Sequence, residues 1–173
     1  MIEDNTERYG SITRALHWLF AVLVFWQFMK FFDRIAEGEH WIGETLVPWH
    51  ISIGTLLLAL IVVRVFWALT QASHRPTHEP PIKYLAKAGH ILLYVALVLM
   101  PVTGVLYMVG EGHGVEAFGV TLIAEGEEIA WMHTVGGFHG NIAWALLFLT
   151  LTHIVMAFYH QFVRRDGTLK RMA

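Results

Sequence analysis

This sequence predicts an all-α membrane protein: a four-transmembrane-helix bundle with both termini cytoplasmic. Three observations predict it. Four apolar runs, at about 15–32, 47–69, 86–109 and 137–163, are each about long enough to cross a hydrocarbon core some 30 Å thick. The chain is 55% hydrophobic with a mean hydropathy of +0.51, too apolar for an ordinary soluble domain. Its cations are partitioned. Arg8, Arg14, Arg64, Arg75, Lys83, Lys87, Arg164, Arg165, Lys170 and Arg171 fall at the termini and the second connection, against only Lys30 and Arg34 in the first and third. By the positive-inside rule both ends face the cytoplasm.

Each element follows in order. Met1 to Gly10 is polar and acidic, and the apolar run after it is too long and too well anchored for a cleavable signal peptide. The first run carries His17 near its start, and His50 opens the second. Pro101 lies inside the third, where a membrane helix tolerates it if neighbours satisfy the freed carbonyl. The fourth carries His139, His153 and His160. Trp18, Trp41, Trp49, Trp67 and Trp131 lie near run ends, where indole favours the interface. The connections are short, so residues 1–173 read as one domain. The outer connections are acidic, with Asp33, Glu37, Glu39, Glu44, Glu111, Glu116, Glu125, Glu127 and Glu128.

Cysteine is absent, which excludes disulfides, thiolate metal sites and covalent haem attachment through a CxxCH motif. Any haem is then held by histidine or methionine.

The histidines carry the chemistry. His139 and His153 are fourteen residues apart on one predicted helix, close to four turns, so their side chains share a face about 21 Å apart along the axis. Imidazole inside a membrane is costly unless paired or ligated, which makes it a functional signal. Inferred depth pairs His50 with His139 toward the outer face and His17 with His153 toward the cytoplasm. Two bis-imidazole sites suit low-spin electron-transfer haems rather than oxygen binding, which needs an open position. Four core histidines without a cofactor would instead leave four polar groups in lipid without partners.

Gly136, Gly137 and Gly140 flank His139, and Gly54 lies one turn after His50. Such residues admit a flat macrocycle or serve ordinary close helix packing. His90 opens the third run and His160 lies two turns beyond His153. Both suit a quinone or proton-handling site beside the inner pair, or an interfacial imidazole bonded to water or lipid phosphate. Arg14 and Arg64 suit haem propionates or cytoplasmic anchoring. His74 and His78 form an HxxxH pattern, but Pro76, Pro80 and Pro81 make it a loop and argue against a metal site. His40, His113 and His133 lie in or beside the acidic outer connections and read as solvated.

The segments RALHWL around His17, PWHISIG around His50, AGHILLY around His90 and FHGNIAWALLFLTLTHIVMAFYHQF around His139, His153 and His160, with the tail RDGTLKRM, resemble the bacterial cytochrome b561 family over essentially the whole chain. These are small four-helix di-haem quinone-linked cytochromes of the inner membrane. The resemblance is strongest to members that pass electrons from superoxide, oxidised to dioxygen, through two b haems to ubiquinone. It implies iron ligands at His17, His50, His139 and His153, and a quinone site near His90 and His160. Cytochrome subunits of hydrogenases and formate dehydrogenases share the fourteen-residue pair.

The leading expectation is an oxidoreductase of the superoxide:quinone type with two haem b. The alternative is a cytochrome b anchor for a soluble dehydrogenase, a hydrogenase or a periplasmic redox partner. An anionic donor calls for positive charge at the outer face, whereas the outer connections carry nine acids against two cations. Screening within about 8 Å still leaves room for a local basic pocket. A basic redox partner would favour the acidic loops. The expected partners are membrane lipid, a quinone and a small donor or redox protein, with no nucleic acid among them. A proton or ion transporter is disfavoured because the acids lie in connections and termini. A histidine-rich di-iron oxidase lacks its dense HxxxH and HxxHH clusters on the helices.

Overall fold

The computed structural model of the chain describes residues 1–32, 40–75 and 82–172. Arg34, His78, Pro76, Pro80, Pro81 and the acids Asp33, Glu37 and Glu39 lie outside them. Four helical spans among the described residues are long and apolar enough to cross a membrane: Ser11–Phe32, Trp41–Thr70, Tyr84–Gly110 and Ala130–Arg164. Their outward faces carry Val62, Phe66, Leu69, Phe148 and Val155, each more than half exposed. Bare apolar surface on this scale suits lipid rather than water.

The first span is helix α1 (Ser11–Phe28), extended to Phe32. The second opens with the short helix α2 (Trp41–Thr45) and a 3-10 turn at Val47–Trp49, then becomes α3 (His50–Thr70). Here the sequence expectation for His40 is corrected. It is not simply solvated: its Nδ1 accepts from the Gly43 amide at 3.0 Å and its Nε2 lies 3.1 Å from the Phe32 carbonyl, so it caps α2. Phe20 and Val24 of α1 pack on Ile53, Leu57 and Ile61 of α3 to form the core.

The third span is α4 (Ile82–Gly110), which runs through Pro101. Proline has no N–H, so the Leu97 carbonyl loses its usual helical donor. The fourth is divided. Helix α5 (Ala130–Gly136) ends at Gly137, and α6 (His139–Phe158) continues into a π-helical turn at Tyr159–Arg164. Helices α4 and α5 approach closely because Gly110 and Gly136 lack side chains. A Cβ on Gly110 would run into the His133 backbone, and one on Gly136 into that of Tyr107. Gly136 therefore serves helix packing rather than a macrocycle.

Between α4 and α5 lies an element the apolar runs did not announce, a hairpin of β1 (Val115–Ala117) and β2 (Val120–Ile123). Its two-residue turn places Phe118 at φ 53° and Gly119 at φ 76°. Positive φ at both positions matches the twist of the strands but is strained for phenylalanine. The Phe118 amide donates to Ser52 Oγ at 3.0 Å and its ring lies 6.2 Å from that of Trp49, which fastens the turn to the start of α3. Val115 and Ala117 are buried, and Glu116 points out.

The two termini meet at the opposite end of the bundle. The Tyr9 amide donates to the Arg171 carbonyl at 3.3 Å, and Trp18 Nε1 donates to the Met172 carbonyl at 3.1 Å. Trp67 Nε1 donates to Thr13 Oγ1 at 2.8 Å, joining α1 to α3 there. The N-terminal segment is locked by Asp4, whose carboxylate is fully buried. It accepts from the Gly10 amide at 2.8 Å and pairs with Arg75 Nε at 3.1 Å, while the Asp4 amide donates to Gln71 Oε1 at 3.0 Å. Removing the carboxylate leaves the Gly10 amide without its acceptor and the partly exposed Arg75 without its counter-charge, a cost of about 1–3 kcal/mol. Asp4→Ala should lower the thermal midpoint of the solubilised protein and expose residues 1–10 to protease. Adding Arg75→Leu should recover part of the loss.

Candidate functional site

Two imidazole pairs occupy the two ends of the bundle. At the end away from the termini, His50 is the first residue of α3 and His139 the first of α6. Their ring centres are 6.0 Å apart and nearly perpendicular, at 89°. His139 Nδ1 lies 3.0 Å from the Met100 carbonyl and 3.3 Å from Thr103 Oγ1. A carbonyl only accepts, so Nδ1 carries the proton and Nε2 keeps its lone pair for a ligand. The ring fits there because residue 104 is glycine: a Cβ at Gly104 would stand 3.1 Å from His139 Cε1.

A cavity of about 590 Å³ opens onto both rings, within the size range of ligand pockets. Its walls are mostly apolar, with Phe20, Val24, Leu57 and Leu146, and Gly54, Gly104 and Gly140 leave room along it. Gln27 and Lys30 add polar atoms. Gln27 Nε2 donates to the His50 carbonyl at 3.0 Å, while its buried Oε1 has no hydrogen-bond partner among the described residues. Lys30 thus puts one cation at the cavity, at an end where acids predominate.

At the terminal end, the His17 and His153 rings are 6.2 Å apart, inclined at 59°. The exposed ring of His90 also stands 5.7 Å from that of His153, so three imidazoles gather there. Arg64 Nη2 lies 3.4 Å from His17 Nδ1, and its guanidinium carbon sits 4.9 Å over the Phe20 ring and 5.7 Å from that of Tyr94. Arg64 Nε and Nη1 are buried with no hydrogen-bond acceptor among the described residues. A buried guanidinium in that state calls for an anionic oxygen.

These features fit haem. An iron held between two imidazoles by metal–nitrogen bonds of about 2 Å separates the ring centres by about 6 Å, as in both pairs. No group of three or more His, Cys, Asp or Glu able to hold a bare ion occurs among the described residues, but haem iron needs only two protein ligands. A propionate would supply the acceptor that Arg64 Nε and Nη1 lack.

The remaining sequence candidates divide. Arg14 is half-buried on α1 one turn before His17. His160 is buried and pairs with Asp166 at 2.6 Å, while His90 packs on His153, so the contacts seen for these two histidines are different ones. His133 is exposed, as expected, and its Nε2 pairs with Glu111 at 2.8 Å where α4 and α5 approach. His113 is exposed, and His74 Nδ1 lies 3.4 Å from the neighbouring Ser73 hydroxyl. Sequence reasoning missed Met100, Thr103, Gly104, Gln27 and Asp166. For Met100, Thr103 and Gly104 the run MPVTG around the membrane proline Pro101 was the visible trace.

A helical membrane bundle with spaced imidazole pairs at both ends has the form of a b-type membrane cytochrome. A family model described as prokaryotic cytochrome b561 matches residues 8–173, and the chain belongs to that family. Its members are integral inner-membrane proteins, and the four spans make this chain a multi-pass protein of the cell inner membrane. It is 32% identical to cytochrome b561 homolog 2 of Escherichia coli (strain K12), over 98% of this chain and 93% of that protein. It is 26% identical to the probable superoxide oxidase CybB of Yersinia pestis, over 96% of each. It is also 27% identical to cytochrome b562 of Cereibacter sphaeroides, over 95% of this chain and 94% of that protein.

Proposed function

We propose that this single domain carries two b haems and moves electrons from a donor at the outer face to ubiquinone near the cytoplasmic face, both termini being cytoplasmic. The observation that carries the reading is the pair of imidazole pairs, at opposite ends of one bundle and each spaced for one iron. When bound, haem supplies one-electron redox chemistry at a low-spin iron that stays closed to oxygen. His50 and His139 hold one, and the Met100 carbonyl and Thr103 keep His139 in the tautomer that binds metal. His17 and His153 hold the other, with Arg64, and Arg14 one turn before His17, neutralising propionate charge. His90 and His160 stand at the quinone end.

Superoxide is the donor this reading favours. The name of the Yersinia relative supports it, and so does Lys30, a cation lining the cavity beside His50 and His139 within an acidic surround. Rapid mixing of the purified, haem-loaded chain with a superoxide source, followed by a short-chain ubiquinone, tests it. Haem reduction should outrun spontaneous dismutation and quinone should reoxidise the haems. Haems that stay oxidised under the flux would sink the superoxide assignment.

A second reading is an electron-transfer anchor for a cationic redox protein. Glu116, Glu125, Glu127 and Glu128 are all exposed around the hairpin and support it. A complex that survives mild solubilisation would favour this reading, and a monodisperse haem-loaded chain without partners would count against it.

A further inference from the structure

The tail after the fourth span is built rather than frayed, and it brings a carboxylate back onto a buried histidine. Past Phe158 the helix widens into the π-helical turn Tyr159–Arg164. Arg165 then takes the left-handed conformation at φ 54°, an unfavourable state for arginine that reverses the chain. Asp166 comes to lie with Oδ2 2.6 Å from Nδ1 of His160, which is only 8% exposed. The carboxylate is itself aimed. Thr168 donates to Oδ1 from its amide at 3.1 Å and its hydroxyl at 2.7 Å, which leaves Oδ2 for the imidazole. Arg164 Nε stands 3.6 Å from Oδ2, and the Tyr159 ring packs 6.0 Å from that of His160. The bonds from Tyr9 and Trp18 to residues 171 and 172 hold the tail against the first span.

We propose that Asp166 is a positioning residue that makes His160 the proton donor for quinone reduction. This rests on the reading of the terminal end as the quinone end. The carboxylate accepts from Nδ1–H, so in the neutral imidazole Nε2 is the basic atom. Nε2 takes a proton from the cytoplasm, and the imidazolium is stabilised by the carboxylate across the 2.6 Å bond. The Nε2–H bond then breaks as an O–H bond forms on a quinone oxygen. Two passes, with two electrons delivered one at a time by the donor through the cytochrome, turn quinone into quinol. Burial, which would raise its pKa, is outweighed by the bonds from Thr168 and His160 together, so the Asp166 carboxyl is held below the usual carboxylate range. It remains an anion throughout the working pH range.

The test uses the haem-loaded full chain carrying Asp166→Asn, Asp166→Glu or His160→Gln. Haem reduction by dithionite and reoxidation by a short-chain ubiquinone are followed from pH 6 to 9, and the His160 tautomer is read by ¹⁵N NMR. Asp166→Asn should leave haem reduction unchanged and slow reoxidation about tenfold or more. The Nδ1–H signature should be lost, and Asp166→Glu should restore part of both. If His160→Gln slows reoxidation while Asp166→Asn moves the tautomer alone, the pair is a staple for the tail. That overturns the proposal and leaves the quinone reading standing. If neither variant slows reoxidation, the quinone reading of this end fails and the proposal with it. Should Asp166→Asn not fold, Thr168→Ala, which removes the hydroxyl bond to Oδ1 and keeps the amide's, is read by the same criteria, with a smaller effect expected.

Discussion

Replacing His153 with alanine should leave one haem per chain where two are proposed for the unaltered protein. The two imidazole pairs lie on different residues at opposite ends of the bundle, and along one helix His139 and His153 stand about 21 Å apart. His139 keeps its own support in the Met100 carbonyl, Thr103 and the space at Gly104. His153 is the residue to remove because it faces both His17 and His90, at 6.2 and 5.7 Å between ring centres. Removing His17 would leave His90 beside it as a substitute ligand. The remaining haem should keep bis-imidazole absorption bands. Loss of both haems, or of neither, would break the pairing inferred here.

The reciprocal loss should follow from Gly104→Leu, a change that removes no ligand. A Cβ at this position would meet His139 Cε1 at 3.1 Å and Nδ1 at 3.3 Å. The leucine branches reach further and push the ring off the Met100 carbonyl, which removes the bond that sets its tautomer. The haem between His50 and His139 should be lost and the other kept. Gly104→Ala needs the ring to give by only a few tenths of an ångström. It should weaken haem binding at that end by about tenfold, the scale of losing an outer support of a metal ligand. Haem content per chain and a haem titration of the apoprotein measure both.

What was legible in the sequence follows from where the information is local. Apolar runs announce the spans, and the fourteen-residue interval between His139 and His153 announces two levels, because both depend on near neighbours along one helix. The hairpin escaped notice because its strands are three and four residues long and its turn is Phe118–Gly119, not a pair with an intrinsic preference for positive φ at both positions. What it costs Phe118 is offset by Ser52 and Trp49, far away in sequence. The same distance hid the supports of the site. Met100 and Thr103 reach His139 across 39 and 36 residues, and only packing decides which face of α4 meets α6. Arg64 was visible as a cation near a run end, but its buried, unanswered N–H groups were not. Asp166 sits only six residues from His160, yet it meets the ring through a π-helical turn and a left-handed arginine that no periodic pattern predicts.

The most direct measurement is the haem stoichiometry of the detergent-purified chain expressed alone, taken with its reduced absorption and low-temperature EPR spectra. Two b haems per chain, both low-spin with bis-imidazole signatures, are expected. One haem, none, or a high-spin iron with an open coordination position would contradict the two imidazole pairs as the site of function.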